Sequence, residues 1–74
     1  MAVHALVYVK SGCPYCEAKR AELAARGVAC REVDVESRPE VIPELLKLTR
    51  GRRIVPVIVE DGRIEIAPGG GTNF

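Results

Sequence analysis

The sequence predicts an α/β domain, a four-stranded mixed sheet flanked by helices with elements in the order β-α-β-α-β-β. Three observations predict it. An unbroken apolar run, Ala5-Leu6-Val7-Tyr8-Val9, lies near the start and does not alternate with polar residues, as expected of a central strand covered on both faces. Two helix-forming stretches follow, each closed by a glycine, Gly27 and Gly51, a residue suited to the position just past a helix end. Finally, Asp61-Gly62 separates two short runs of strand-forming residues, a strong hairpin signal.

The first strand is expected over Val3 to Val9, and Lys10-Ser11-Gly12 turns the chain into Cys13-Pro14-Tyr15-Cys16. The first helix runs from about Pro14 to Arg26. Ala18, Ala21, Ala24 and Ala25 with Leu23 give it a small-residue face suited to lying close on a sheet. Lys19 and Arg20 read first as a solvated face, and otherwise as positive charge near the cysteines. Val28 to Val35 is the second strand, and Cys30 within it reads as a small, inert, buried hydrophobe. Ser37-Arg38-Pro39-Glu40 has the form of a capping box and marks the start of the second helix. Val41, Ile42, Leu45, Leu46 and Leu48 form its apolar face. Pro43 requires either a late start, with the proline in the first turn, or a kink. Val57-Ile58-Val59 and Arg63 to Ile66 are the last two strands, joined at Asp61-Gly62. The first two strands, linked through a helix, are expected to be parallel with a right-handed crossover.

Seventy-four residues make one domain, residues 1–74, in which 68–74 reads as a mobile glycine-rich tail. Formal net charge is +1 and only three aromatics are present, so nothing drives the chain toward nucleic acid and base stacking has little to use. The start, Met1-Ala2-Val3-His4, has no basic region, and the apolar run after it is too short to span a bilayer. No membrane partner is expected. Three cysteines are an odd number, too few for a secreted disulfide framework. A cytoplasmic, reducing setting and a monomer are the expectation.

The chemistry concentrates in Cys13-Pro14-Tyr15-Cys16, a Cys-x-x-Cys between a strand and a helix, which points to a thiol–disulfide redox site. With Pro14 as first helical residue, Cys13 becomes the N-cap. Its sulfur then meets unpaired backbone N–H groups and the positive end of the helix dipole, which favours the thiolate. At an ordinary pKa of ~8.5 only about 3% of a thiol is ionised at pH 7, so such a shift multiplies the nucleophile. Cys16, one turn in and facing the core, is expected to keep the higher pKa and to act as resolving thiol.

With the motif Lys10-x-x-Cys13-Pro14-Tyr15-Cys16, the segment Gly51-Arg52-Arg53-Ile54-Val55-Pro56 and the glycines Gly69-Gly70-Gly71 before Thr72, the chain resembles the dithiol glutaredoxins over about residues 4–66. The resemblance implies a thioredoxin-like fold whose C-terminal third helix is lacking or curtailed. It also implies a glutathione-dependent thiol–disulfide oxidoreductase with Cys13 as nucleophile and Cys16 resolving. Pro56 takes the place of the family's cis-proline. Val55 then offers its backbone N–H and C=O to the cysteinyl residue of glutathione as a short antiparallel strand. Ile54 replaces the usual threonine. Gly70, Gly71 and Thr72 match the Gly-Gly pair and following polar residue that receive the γ-glutamyl carboxylate, Lys10 and Arg52 match basic positions that pair with the glycine-end carboxylate, and Tyr15 lies at the rim. Arg53 ranks below Arg52. Glutathione is the implied co-substrate, no metal is expected, and the partners are disulfide-containing or glutathionylated proteins.

Two other readings stay open. Related hydrogen donors share this active site but are reduced by thioredoxin reductase. Some glutaredoxins bridge an iron–sulfur cluster, a use that Pro14-Tyr15 disfavours. Zinc needs four ligands, and Cys13, Cys16, Cys30 and His4 are not expected to converge. His4 is a poor catalytic base, since it begins the first strand, roughly 15–20 Å from that strand's far end at ~3.3 Å per residue.

Overall fold

The computed structural model describes residues 4–74. Strand β1 (His4–Val9) leads into helix α1 (Pro14–Ala25), and strand β2 (Ala29–Asp34) follows. A single 3-10 turn, Pro39–Val41, precedes helix α2 (Ile42–Thr49). Strands β3 (Ile54–Val55), β4 (Val57–Glu60), β5 (Arg63–Ile66) and β6 (Thr72–Asn73) complete the chain. The main sheet has the order β2-β1-β4-β5, with β1 parallel to β2 and antiparallel to β4. The predicted β-α-β unit and terminal hairpin are both present. Two short strands, β3 and β6, were not foreseen, and they pair with one another as a separate ladder. Val3, the expected first strand residue, lies outside the described residues.

β1 is central because its apolar run is buried on both faces, with Ala5, Val7, Tyr8 and Val9 all in the core. Its register shows which helix covers which face. Val7 lies opposite Glu32 and Ile58, and Ile58 lies opposite Glu65. From α1, Arg20 reaches Glu32 at 2.6 Å and Lys19 reaches Glu65 at 3.3 Å. Both ends of that row are thus tied to α1, which covers the face of Ala5, Val7 and Val9. Tyr8 points to the other face, where burial and then the charge of Glu44 on α2 raise its pKa.

α1 ends in a Schellman motif, with Gly27 N–H donating to Ala24 C=O at 3.0 Å and Val28 N–H to Leu23 C=O at 3.0 Å. Its buried stripe differs from the expected one. Cys16, Lys19 and Leu23 face the sheet, whereas Ala18, Ala21, Ala24 and Ala25 are exposed. At about 100° per residue, Ala18, Ala21 and Ala25 sit two residues out of step with Cys16, Lys19 and Leu23, on the opposite side of the helix. Lys19 is therefore no solvated residue. Its side chain is 8% exposed and bridges Glu22 at 3.2 Å and Glu65, its long stem filling space beside the sheet.

The capping box does not form. Asp34 instead accepts the N–H groups of Glu36 and Ser37, at 2.8 and 3.3 Å, and the Glu40 carboxylate is taken by Arg38 at 3.1 Å. Pro39 starts a tight 3-10 turn, and the regular helix begins only at Ile42. Pro43 falls in its first turn, where no internal bond is lost. Leu45 and Thr49 carry α2 onto the core. Asp61 and Gly62 both take positive φ, 51° and 79°, the conformation a two-residue hairpin turn needs.

Buried Thr49 links this scaffold to the loop after α2, since its hydroxyl donates to the Arg52 carbonyl at 2.7 Å. Thr49→Val keeps the shape and removes the donor. The expected cost is about 1–3 kcal/mol in urea unfolding; an unchanged midpoint would show that the bond does not hold the loop.

Candidate active site

Cys13 occupies the N-cap of α1, with Pro14 as first helical residue. Its backbone is extended (φ −93°, ψ 107°), and its sulfur accepts the Cys16 N–H at 3.2 Å. Burial alone would push the Cys13 thiol up. The hydrogen bonds its sulfur accepts, from the Cys16 thiol, the Thr72 hydroxyl and the backbone N–H groups of Cys16 and Tyr15, outweigh burial and hold the pKa below the ordinary value. Cys16 moves the other way. Burial, the hydrogen bond it gives Cys13 and the charge on that sulfur push it up to about 12. The arrangement favours the thiolate at Cys13 and leaves the shared proton on Cys16.

Beside the cysteines, Val55 and Pro56 are fully buried and joined by a cis peptide bond. Val55 pairs antiparallel with Thr72, and Ile54 with Asn73. Phe74 N–H donates to Arg53 C=O at 3.2 Å. Alternation along an antiparallel ladder makes Val55–Thr72 the next hydrogen-bonded pair, so the N–H and C=O of Val55 both face Thr72. Gly71 must be glycine for this approach, because a Cβ there would lie 2.6 Å from the Val55 carbonyl oxygen. A Cβ on Gly70 would lie 2.6 Å from the Tyr15 ring, which is 44% exposed at the rim.

Basic side chains hold the outer end of β6. Lys10 Nζ donates to the Asn73 carbonyl at 3.4 Å, and Arg53 Nε to the Phe74 backbone oxygen at 2.9 Å. The Arg53 guanidinium also stacks on the Phe74 ring, 4.8 Å from its centroid.

Cys13, Cys16, Lys10, Tyr15, Val55, Pro56, Gly70, Gly71 and Thr72 thus converge. Arg52 is exposed and its carbonyl accepts from Thr49, outside this group, and Arg53 is the arginine directed at β6. Alternation from Val55 was the available signal, since Arg53 and Val55 share a strand parity and Arg52 does not. Asn73 and Phe74 were likewise missed, because the glycines before them read as a tail. Cys30 is half buried in β2, with its pKa raised first by burial and then by Glu32 and Glu60. His4 is exposed at the start of β1 and lines a depression with Leu6, Arg31 and Val59, away from the cysteines.

The two opposed shifts predict how the thiols react. Iodoacetamide should modify Cys13 with a pH midpoint below the ordinary thiol range, because its folded pKa is depressed, while Cys16 resists until strongly alkaline pH. Cys16→Ser replaces the thiol donor and should move the Cys13 midpoint. A wild-type midpoint at or above the ordinary value of about 8.5 would refute the N-cap account.

The comparisons agree with this geometry. The sequence model of the glutaredoxin family matches residues 5–65. Glutaredoxin 3 of Escherichia coli K12 is 33% identical over 57 residues, which span 77% of this chain and 68% of that protein; the same protein from strain O157:H7 matches equally. The crystal structure of the glutaredoxin (grx-1) from Archaeoglobus fulgidus superposes with a TM-score of 0.73 at 26% identity, covering 96% of this chain and 77% of that one. The fold is thioredoxin-like, with two α-helices among the described residues. The chain belongs to the glutaredoxin family and is a glutaredoxin-type thiol–disulfide oxidoreductase.

Proposed function

We propose that the oxidoreductase is glutathione-dependent and reduces glutathionylated proteins and protein disulfides. The observation that carries this reading is the peptide edge of Val55 beside the Cys13 sulfur, with Lys10 and Arg53 next to it. An extended peptide paired with Val55 brings its side chain to Cys13 and its carboxylate end to the two cations. Glutathione fits that edge as a short peptide with a thiol in its middle and a carboxylate at its glycine end. The glycines and Thr72 are assigned to its γ-glutamyl end, and Tyr15 to the rim over its sulfur. Arg52 supplies further positive charge at the loop.

In the first step the Cys13 thiolate attacks the glutathione sulfur of a mixed disulfide. The Cys13–glutathione bond forms as the old S–S bond breaks, and the protein leaves as a thiolate that takes a proton from water. A second glutathione, as thiolate, attacks the glutathione sulfur held on Cys13, releasing oxidised glutathione and restoring the Cys13 thiolate. With a protein disulfide, the first attack leaves the substrate bound to Cys13. Cys16 gives up its proton, attacks the Cys13 sulfur and expels the second substrate thiolate, leaving Cys13–Cys16 oxidised. Two glutathiones then reduce that pair. We place this activity in the cytoplasm, in a monomer with no metal; all three cysteines are unpaired thiols, and no described helix is long and apolar enough to cross a membrane.

NADPH consumption coupled through glutathione reductase tests the reading, with a glutathionylated peptide as substrate. Cys13→Ser should abolish turnover, while Cys16→Ser should retain activity on that substrate and lose it on protein disulfides. Equal loss from both would remove the single-thiol route. Turnover only when thioredoxin reductase replaces the glutathione system would overturn glutathione dependence.

A further inference from the structure

The site is closed in this structure. Cys13 is 1% exposed, yet a nucleophile must meet its disulfide directly. What lies on the substrate side is the chain itself. Thr72 pairs with Val55 along the edge assigned above to the cysteinyl residue of glutathione. Lys10 and Arg53, the cations assigned to the carboxylate end, hold the backbone oxygens of Asn73 and Phe74 instead. Val55 has one N–H and one C=O, so the chain segment and an incoming peptide exclude each other. The closed contact is small. Its ladder is two residues long, with the half-buried Phe74 ring on the core's margin and its cation–ring stack beyond it, and an element held by so short a ladder opens more readily than the main sheet. Gly69 and Gly70, both at positive φ (80° and 128°), lie one residue before it and can absorb a large backbone rotation.

We propose that β6 is an internal occupant of the peptide edge: Thr72 sits where the cysteinyl residue of glutathione pairs, shelters Cys13 between turnovers, and swings on Gly69–Gly70 from that edge to the γ-glutamyl end when a glutathionyl substrate takes its place. Wherever it names glutathione this rests on the glutathione reading; the closed contact of β6 with Val55 does not. Such a strap lowers the apparent affinity of every ligand by the fraction of molecules that stand open. It also keeps a low-pKa sulfur from contact with oxidants, to which an exposed thiolate is the most susceptible form of cysteine.

Two measurements test it. In the double variant C16S/T72C, oxidised glutathione should link Cys13 to the introduced thiol. The two thiols together lose two protons and two electrons, and the oxidant becomes two glutathiones. Peptide mapping should find that crosslink within one chain, with Cys30 left free to alkylate. A map showing only glutathione adducts, or links between chains, would overturn the proposal. In Phe74→Ala, whose fold is checked by circular dichroism, Cys13 should react with iodoacetamide about tenfold faster than in the wild type, as the closed population falls. Its KM for a glutathionylated peptide should drop with it. Equal alkylation rates in a folded variant would also overturn the strap. The two readings fail separately. A crosslink and faster alkylation without any glutathione-coupled turnover leave the strap standing and remove glutathione. Turnover with no crosslink and unchanged alkylation removes the strap alone.

Discussion

The N–H of Cys16 donates to the Cys13 sulfur at 3.2 Å, and through that bond the folding of α1 and the chemistry of the chain become one matter. The first N–H groups of any helix lack internal partners. Here a sulfur supplies one, so the helix gains a cap and the sulfur gains a reason to ionise. The geometry depends on what lies on either side. Pro14 sets the first helical turn behind the cap. Leu23, fully buried two turns on, fixes how the helix lies on the sheet. The sulfur is therefore held at the end of β1 by the same packing that builds the core.

That arrangement also ties the ionisation of Cys16 to the state of Cys13. Besides burial, the two influences raising the Cys16 pKa are its hydrogen bond to Cys13 and the charge on that sulfur. Both exist only while Cys13 is a thiolate. Once Cys13 enters a mixed disulfide its sulfur is neutral, and both influences vanish together. Burial remains, but Arg20, which lowers the Cys16 pKa, then acts without that opposition. Cys16 becomes easier to ionise when its attack is required, and no conformational change is needed to bring this about.

The redox motif, the β-α-β unit and the hairpin were legible in the sequence because each rests on contacts between near neighbours: a cap, an apolar run, a two-residue turn. Reading failed where a competing or distant partner decided the outcome. Ser37 and Glu40 have the spacing of a capping box, but Asp34 and Arg38 compete for their groups and win. Lys19 looks like a surface residue until β5 brings Glu65 to it. Four alanines suggest a packing face, although the wider stripe of Cys16, Lys19 and Leu23 reaches the sheet. Arg53, and not Arg52, meets the last strand because β6 comes back to it, across 21 residues, a return that three glycines in a row conceal.

Alternation also decides what β3 offers to β6. Arg53 and Val55 turn their N–H and C=O groups toward β6, and those of Ile54 point the other way. Pro56 follows with no N–H to give, and its carbonyl accepts from Ala67 at 2.7 Å on the side away from β6. The register thus sets Thr72, and not Asn73, against the backbone of Val55. The residue whose hydroxyl helps to lower the Cys13 pKa is therefore chosen by the pairing of two short strands, not by the helix that carries the sulfur.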